Sequence, residues 1–76
     1  MDRLVRLASP DDWIRVVFSA KAVAKGAVIR RSTRWVEREI GRDRFVAEVK
    51  ARGFHLLECG GQLIVICNDR GLRVIC

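Results

Sequence analysis

The chain has one histidine and three cysteines, the residue types best suited to hold a transition metal or to supply a nucleophile: His55, Cys59, Cys67 and Cys76. The intervals between them match none of the C-x-x-C or H-x-x-x-H patterns that are typical of zinc sites. A Cys–His nucleophile pair made by His55 and Cys59 would lack a third group to orient it. We therefore predict no metal site, no cofactor and no enzymatic activity.

The carboxylates are scattered among arginines, and helix capping and ion pairing account for most of them. The sequence also has no glycine-rich loop of the kind that cradles phosphates. Glu58 is the exception among the acids, because it falls on an otherwise apolar face of a predicted sheet. We expect it to reach solvent at the end of that sheet.

Length and charge limit the possible functions. Seventy-six residues predict a single domain with a modest core, and a content of 50% hydrophobic residues is sufficient for a globular fold. The net charge of +6 and the pI of about 10.3 favour an anionic partner, with nucleic acid first and an acidic protein surface or a membrane second. Simple solubility is the alternative explanation of the charge.

Neither a secretory leader nor a long apolar run is present in the sequence. We therefore expect a cytoplasmic protein with no membrane partner. The odd number of cysteines, together with a reducing compartment, favours free thiols.

The positioning elements begin with a strong helix start. Ser9 is a suitable N-cap, Pro10 suits the first helical position, and two aspartates follow at the positive end of the helix dipole. Apolar residues at helical spacing predict a helix that continues to about Lys25 and ends at Gly26. The run 27–31 then predicts a short strand. Residues 1–8 give no clear prediction.

Two further helices are predicted between residues 32 and 53. Ser32 or Thr33 caps the first, and Gly41 breaks it. The second begins near Arg42 and ends at Gly53. Their expected buried residues are Trp35, Val36 and Ile40 in the first helix and Phe45, Val46 and Val49 in the second.

The remainder predicts β structure. Gly60-Gly61 between apolar runs is typical of a two-residue hairpin, which would pair Cys59 with Gln62, Leu57 with Ile64, and His55 with Ile66. A turn at 68–71 would lead into a third antiparallel strand, residues 72–76, with Leu72 opposite Cys67.

This register assigns the cysteines and the apolar residues to faces of the sheet. It places Cys76 opposite Leu63, which disfavours a Cys67–Cys76 disulfide. Both faces of such a sheet would be largely apolar. One would collect Phe54, Leu56, Leu63, Val65, Cys67, Leu72, Val74 and Cys76, and the other would collect His55, Leu57, Cys59, Ile64, Ile66 and Ile75.

An apolar second face predicts an interface. We expect a homodimer that buries Leu57, Ile64, Ile66 and Ile75. The alternative is that the first helix or residues 1–8 cover this face.

The segment TRWVEREIGRDRFVAEV, residues 33–49, has an apolar residue (Ile40) before the turn glycine and further apolar positions after it. With the helix, strand, helix, turn, helix, hairpin order, it resembles the winged helix-turn-helix family of DNA-binding domains over about residues 10–67. The resemblance implies an α+β fold of three helices with a C-terminal antiparallel hairpin or three-stranded meander.

In that family the helix after the turn enters the major groove. Carried over, the resemblance implies a small DNA-binding transcription regulator that uses residues 33–52 and a short wing. The implied groove-facing residues are Arg42, Arg44, Ala47, Glu48 and Ala51. The implied phosphate contacts are Arg30, Arg31, Thr33, Arg34 and Arg38.

The sequence departs from the family in three places. Glu37 stands where the family usually has a small residue, and the wing tip, residues 59–62, has no Lys or Arg. Arg44 and Glu48 are four residues apart and are able to pair with each other. The alternative function is therefore a non-catalytic protein-interaction module, such as a phage- or plasmid-type regulator or inhibitor, that acts through the apolar sheet face.

Overall fold

A computed structural model describes residues 9–76, so the prediction that residues 1–8 cover the sheet lies outside the described part of the chain. The fold is α+β. Its elements, in order, are α1 (Pro10–Val17), α2 (Ala20–Ala24), β1 (Val28–Ser32), α3 (Thr33–Glu39), α4 (Arg42–Ala51), β2 (His55–Cys59) and β3 (Gln62–Ile66).

The predicted first helix starts correctly but is too long. The Ser9 hydroxyl accepts a hydrogen bond from the Asp12 amide at 3.2 Å, as its capping role predicts. The helix ends at Val17, because Phe18 leaves helical geometry and is buried against Phe45, with ring centroids 5.8 Å apart. Ser19 then caps the separate helix α2, so one helix to Lys25 was a wrong prediction.

The centre of the chain follows the prediction closely. β1 lies one residue later than expected, and its last residue, Ser32, caps α3 by accepting a hydrogen bond from the Trp35 amide at 3.2 Å. The strand therefore passes into the helix without a loop. Gly41 adopts a φ of 89° between α3 and α4, a conformation that favours glycine, which confirms the predicted turn.

The hairpin register of β2 and β3 is confirmed, including Cys59 opposite Gln62 and His55 opposite Ile66. The third strand is wrong. The sheet order is β1-β3-β2, all antiparallel, and residues 72–76 form no strand. The second edge of β3 is already occupied by β1, where Ile29 faces Val65. The predicted pairings of Leu72 with Cys67 and of Cys76 with Leu63 do not occur.

All the helices that contribute to the core cover one face of the sheet. Trp13 of α1 contacts Trp35 of α3 and Phe45 of α4, with ring centroids 5.1 and 5.9 Å apart. Trp13 and Phe45 belong to the same buried apolar cluster as Leu63 and Val65 of β3, and Trp35 packs against that cluster. The alternative that the first helix covers the opposite, outer face is therefore wrong.

Candidate nucleic-acid interface

Helix α4 exposes a different set of side chains from the one the family resemblance implied. Phe45 and Val49 are buried, and the exposed residues along the helix are Arg42, Asp43, Ala47, Lys50 and Ala51. Ala47 and Ala51 thus face outwards as expected. Arg44 and Glu48 are only partly exposed, because both are held in contacts with other parts of the protein.

Arg44 and Glu48 belong to a chain of ion pairs that ties α1 to α4. The Arg44 guanidinium lies 2.6 Å from Asp11 Oδ1 and 3.2 Å from Glu48 Oε2. Arg52 lies 2.6 Å from Glu48 Oε1, and its guanidinium carbon stands 4.4 Å from the centre of the Phe18 ring. The i,i+4 pairing of Arg44 with Glu48 is confirmed, and it reduces their availability for contacts with a partner.

The protonation equilibria follow from this geometry. The hydrogen bond from Arg52 holds the pKa of Glu48 below its usual value, although partial burial acts in the opposite direction. The hydrogen bond to Asp11, followed by that to Glu48, raises the pKa of Arg44. Both groups are therefore charged throughout the neutral range, and the ion pairs persist there.

Arg42 makes a second connection, between α4 and the hairpin. Its two terminal nitrogens donate to the two carboxylate oxygens of Glu58 at 2.7 and 3.3 Å, a fork that fixes the guanidinium plane. Glu37 adds a longer contact at 3.7 Å. The hydrogen bond from Arg42 lowers the pKa of Glu58 and, in return, raises that of Arg42. Glu58 reaches solvent near the hairpin tip as predicted, and there it anchors Arg42.

Thr33 is also engaged. Its hydroxyl donates to Glu58 Oε2 at 3.2 Å, and its amide donates to the Gly61 carbonyl at 2.9 Å. These two bonds join the start of α3 to the hairpin tip. Thr33 therefore positions the beginning of α3, and the predicted phosphate contact from its hydroxyl competes with an existing hydrogen bond.

The remaining predicted arginines form a group that we call the β1–α3 arginines: Arg30, Arg31, Arg34 and Arg38. Arg30, Arg34 and Arg38 are exposed, and Arg31 is half-buried and donates to the Arg30 carbonyl at 2.7 Å. Arg38 lies 3.5 Å from Glu39, its neighbour in sequence. The other three make no ion pair with any residue of the described range 9–76.

The outer face of the sheet carries the predicted dimer residues except Ile75. The register places Leu57, Ile64 and Ile66 on this face, where they are half-buried. Val28 joins them through β1 and is 58% exposed. Ile75 lies in the segment without secondary structure and is 78% exposed, so it does not belong to this surface.

The metal-binding and nucleophile candidates do not come together. His55 and Cys59 lie on the outer face, whereas Cys67 is buried on the core face, as the hairpin register predicted. The His55 Nε2 instead contacts the Arg70 carbonyl. Within residues 9–76 there is neither a group of three possible metal ligands nor a pocket.

Comparisons with family models, curated proteins and solved structures give no match to this chain. The helices of the described part of the chain are too short or too polar to cross a membrane.

Two contributors to the surface were missed from the sequence. Lys50 is an exposed cation on the outward side of α4. It follows Ala47 by three residues, a spacing from which helical periodicity would have identified it. Arg52 was overlooked as a partner of Glu48, although the i,i+4 spacing was visible. The long-range pairs of Asp11 with Arg44 and of Glu58 with Arg42 had no local sequence signal.

Proposed function

We propose that this protein is a winged-helix-type domain that binds duplex DNA mainly through phosphate contacts from the β1–α3 arginines. The observation that carries the proposal is the set of three arginines, Arg30, Arg31 and Arg34, that lack a carboxylate partner within the described residues. Arginine forks match phosphate geometry, and such contacts determine affinity and orientation.

The local architecture supports this role. Ser32 ends β1 and caps α3, so no flexible loop separates Arg30 and Arg31 from Arg34. The hydrogen bond from the Thr33 amide to Gly61 holds this junction against the hairpin. The backbone that carries these arginines is therefore already ordered before they bind phosphates.

The element order also supports the proposal. Helix α4 follows the Gly41 turn, as the family resemblance implies for the helix that enters the major groove. Its exposed side offers Ala47, Lys50 and Ala51 but also Asp43, while Arg44 is engaged with Asp11. This surface has few side chains that form paired hydrogen bonds with base edges. We therefore propose binding with a weak preference for sequence.

The test is the salt dependence of binding to random-sequence duplex DNA. Each lost phosphate contact lowers the magnitude of the slope of log affinity against log salt by about 0.9, so Arg30→Ala combined with Arg34→Ala is expected to lower it by about 1.8. The matched control is Lys21→Ala with Lys25→Ala, which removes the same charge from α2 and its C-cap. Those lysines flank the end of the sheet near Cys67, whereas α3 starts at the opposite end, beside Gly61.

Equal slopes for the two double variants would refute the assignment of phosphate contacts to Arg30 and Arg34, because the loss of net charge alone would then explain the change in slope. No binding by the wild-type protein at low salt would refute the DNA proposal itself. Arg42→Ala with Arg44→Ala is expected to reduce stability as well as binding, since both guanidiniums bridge separate elements. Its effect on affinity is therefore read only after its unfolding has been measured.

A second candidate function is a protein-interaction module. It is favoured by the apolar outer face of the sheet, which carries Val28, Leu57, Ile64 and Ile66. Arg30 lies on the same face, and no acidic residue of the three strands does. An acidic protein partner with an apolar strip would fit this surface. Ile64→Lys would then abolish partner binding while the fold stays intact. Unchanged binding would exclude the outer face as the partner-binding surface.

A further inference from the structure

The segment after β3 combines strand-forming sequence with exposure. Residues 72–76 read LRVIC. As a strand they would place Leu72, Val74 and Cys76 on one face and Arg73 and Ile75 on the other, yet they pair with no strand of the described residues. Leu72, Val74 and Ile75 are 45%, 74% and 78% exposed. β-Branched residues with unpaired backbone groups are typical of a strand that completes another sheet.

The sheet has a suitable open edge. In the order β1-β3-β2 that residues 9–76 form, strands β1 and β2 are both edges. The two-residue turn at Gly60-Gly61 makes Cys59 and Gln62 a hydrogen-bonded pair, and bonding alternates from there. The backbone groups of Leu56 and Glu58 therefore point outwards from β2, where they are available to a further strand.

From these two features we propose that residues 72–76 of one copy add as an antiparallel strand to the β2 edge of a second copy, forming a strand-exchanged homodimer. Arg73 would then face Glu58, Val74 would face Leu57, and Ile75 would face Leu56. This inference goes beyond the proposed DNA binding and does not depend on it.

Charge selects this edge and register. Glu58 is the only acid in the three strands, and its side chain remains 43% exposed beside Arg42, so it has room for Arg73. The competing edge, β1, carries Arg30 and Arg31, which would oppose Arg73 with like charge. The β2 register brings together opposite charges and apolar residues at successive positions.

The geometry requires a second copy. Asp69 lies beside Gly53, whose added Cβ would stand 3.8 Å from the Asp69 Cβ. Leu72 is three residues farther on and reaches at most roughly 10 Å from there, whereas Cys59 lies six residues beyond Gly53, roughly 18 Å away. Leu72 therefore cannot reach its own Cys59. A two-fold axis allows each copy to add its segment to the β2 edge of the other.

Cross-linking tests the register. In a Cys76→Ser background, Leu72→Cys is expected to form an intermolecular disulfide with the native Cys59, which is exposed. The link is identified by mass spectrometry of the joined peptides, and Cys59→Ser should abolish it. Asn68→Cys in the same background is the control for random collision of exposed thiols. A yield no higher than this control, or a link between two copies of position 72, would overturn the proposed register.

A pair of proline variants tests the backbone pairing by sedimentation equilibrium. Ile75→Pro removes an amide that would bond to Leu56 of the second copy, whereas the amide of Val74 would point away from β2. Ile75→Pro is expected to weaken self-association about tenfold or more, and Val74→Pro is expected to weaken it less. A monomeric wild-type protein, or equal effects of the two prolines, would overturn the proposal.

Discussion

Trp13 offers a sharp test of how the helices are held together. Its side chain is 1% exposed and contacts Trp35 and Phe45, so it joins α1 to the two helices that carry the proposed interface. The indole Nε1 is buried and has no hydrogen-bond partner within the described structure. The residue therefore combines a large favourable burial with one unfavourable polar group.

Trp13→Phe separates these two effects. A lost ring fragment of roughly 40 Å³ leaves a cavity that costs about 1 kcal/mol, and the lost burial of its carbon atoms adds a cost of the same order. Removal of an unsatisfied buried donor returns about 1–3 kcal/mol. The free energy of unfolding is therefore expected to stay within about 1 kcal/mol of the wild-type value or to rise slightly. Trp13→Ala, in contrast, is expected to cost about 3–5 kcal/mol, a large share of the stability of a small domain.

The assay is urea unfolding followed by far-ultraviolet circular dichroism, because the substitution alters tryptophan fluorescence. Trp35→Phe is the matched control. It also removes an indole from the Trp13–Trp35 pair, but the Trp35 side chain is only half-buried and its Nε1 is not among the unpaired buried atoms of residues 9–76. A loss above about 2 kcal/mol for Trp13→Phe would refute the reasoning, since it would mean that the indole N–H makes a stabilising bond.

Two predictions concern titration and reactivity. Because the folded-state pKa of Glu48 is lowered, its contribution to stability is complete above its unfolded-state pKa, about 4.3, and is lost as the pH falls through the folded-state value. Glu48→Gln should therefore be less stable than wild type at neutral pH and converge with it in acid, as measured by urea midpoints; a constant gap would contradict this. Burial raises the pKa of Cys67 and shields its thiol, whereas Cys59 and Cys76 are exposed. Iodoacetamide should therefore label Cys59 and Cys76 in the native protein and Cys67 only after unfolding, as measured by mass spectrometry. Rapid labelling of Cys67 in the native protein would contradict its burial.

Local signals predicted the elements well because their causes are local. The Ser9 cap, the Gly41 turn and the Gly60-Gly61 hairpin each depend on a few neighbouring residues, and each lies where it was expected. The break at Phe18 was missed because helical periodicity continues across it. There the ring turns towards Phe45, a residue 27 positions later, and the Ser19 cap takes over.

The third strand was wrong for a related reason. Residues 72–76 have strand-forming sequence, but strand propensity does not state which edge a segment will occupy. β1 pairs with β3 through Ile29 opposite Val65, which leaves no place on β3 for a strand after residue 67. Competition between two segments for one edge depends on the whole fold, and the hairpin register gave no information about it.

The site prediction also divides according to the range of the interactions. Exposure of Ala47 and Ala51 follows from helical phase and was correctly expected. The engagement of Arg42 and Arg44 depends on Glu58 and Asp11, which are brought close only by the fold. Amphipathic phase therefore identifies which residues face outwards, but it does not identify which charges remain available.

Net charge alone does not distinguish DNA binding from solubility, but the placement of the carboxylates does bear on the choice. Within the described residues, acids pair with Arg15 of α1, Arg38 of α3, and Arg42 and Arg44 of α4. Asp11, Glu48 and Glu58 each neutralise a cation from another turn or element. β1 has no acid, and its two arginines and Arg34 keep their charge unpaired within the described structure. Arg30 and Arg31 lie on opposite faces of β1, at the edge of the sheet, and Arg34 follows at the start of α3. Solubility does not require this group of unpaired arginines at one strand–helix junction, whereas phosphate binding does benefit from it. The proposed contact surface therefore centres on β1 and the start of α3, with α4 in a supporting role.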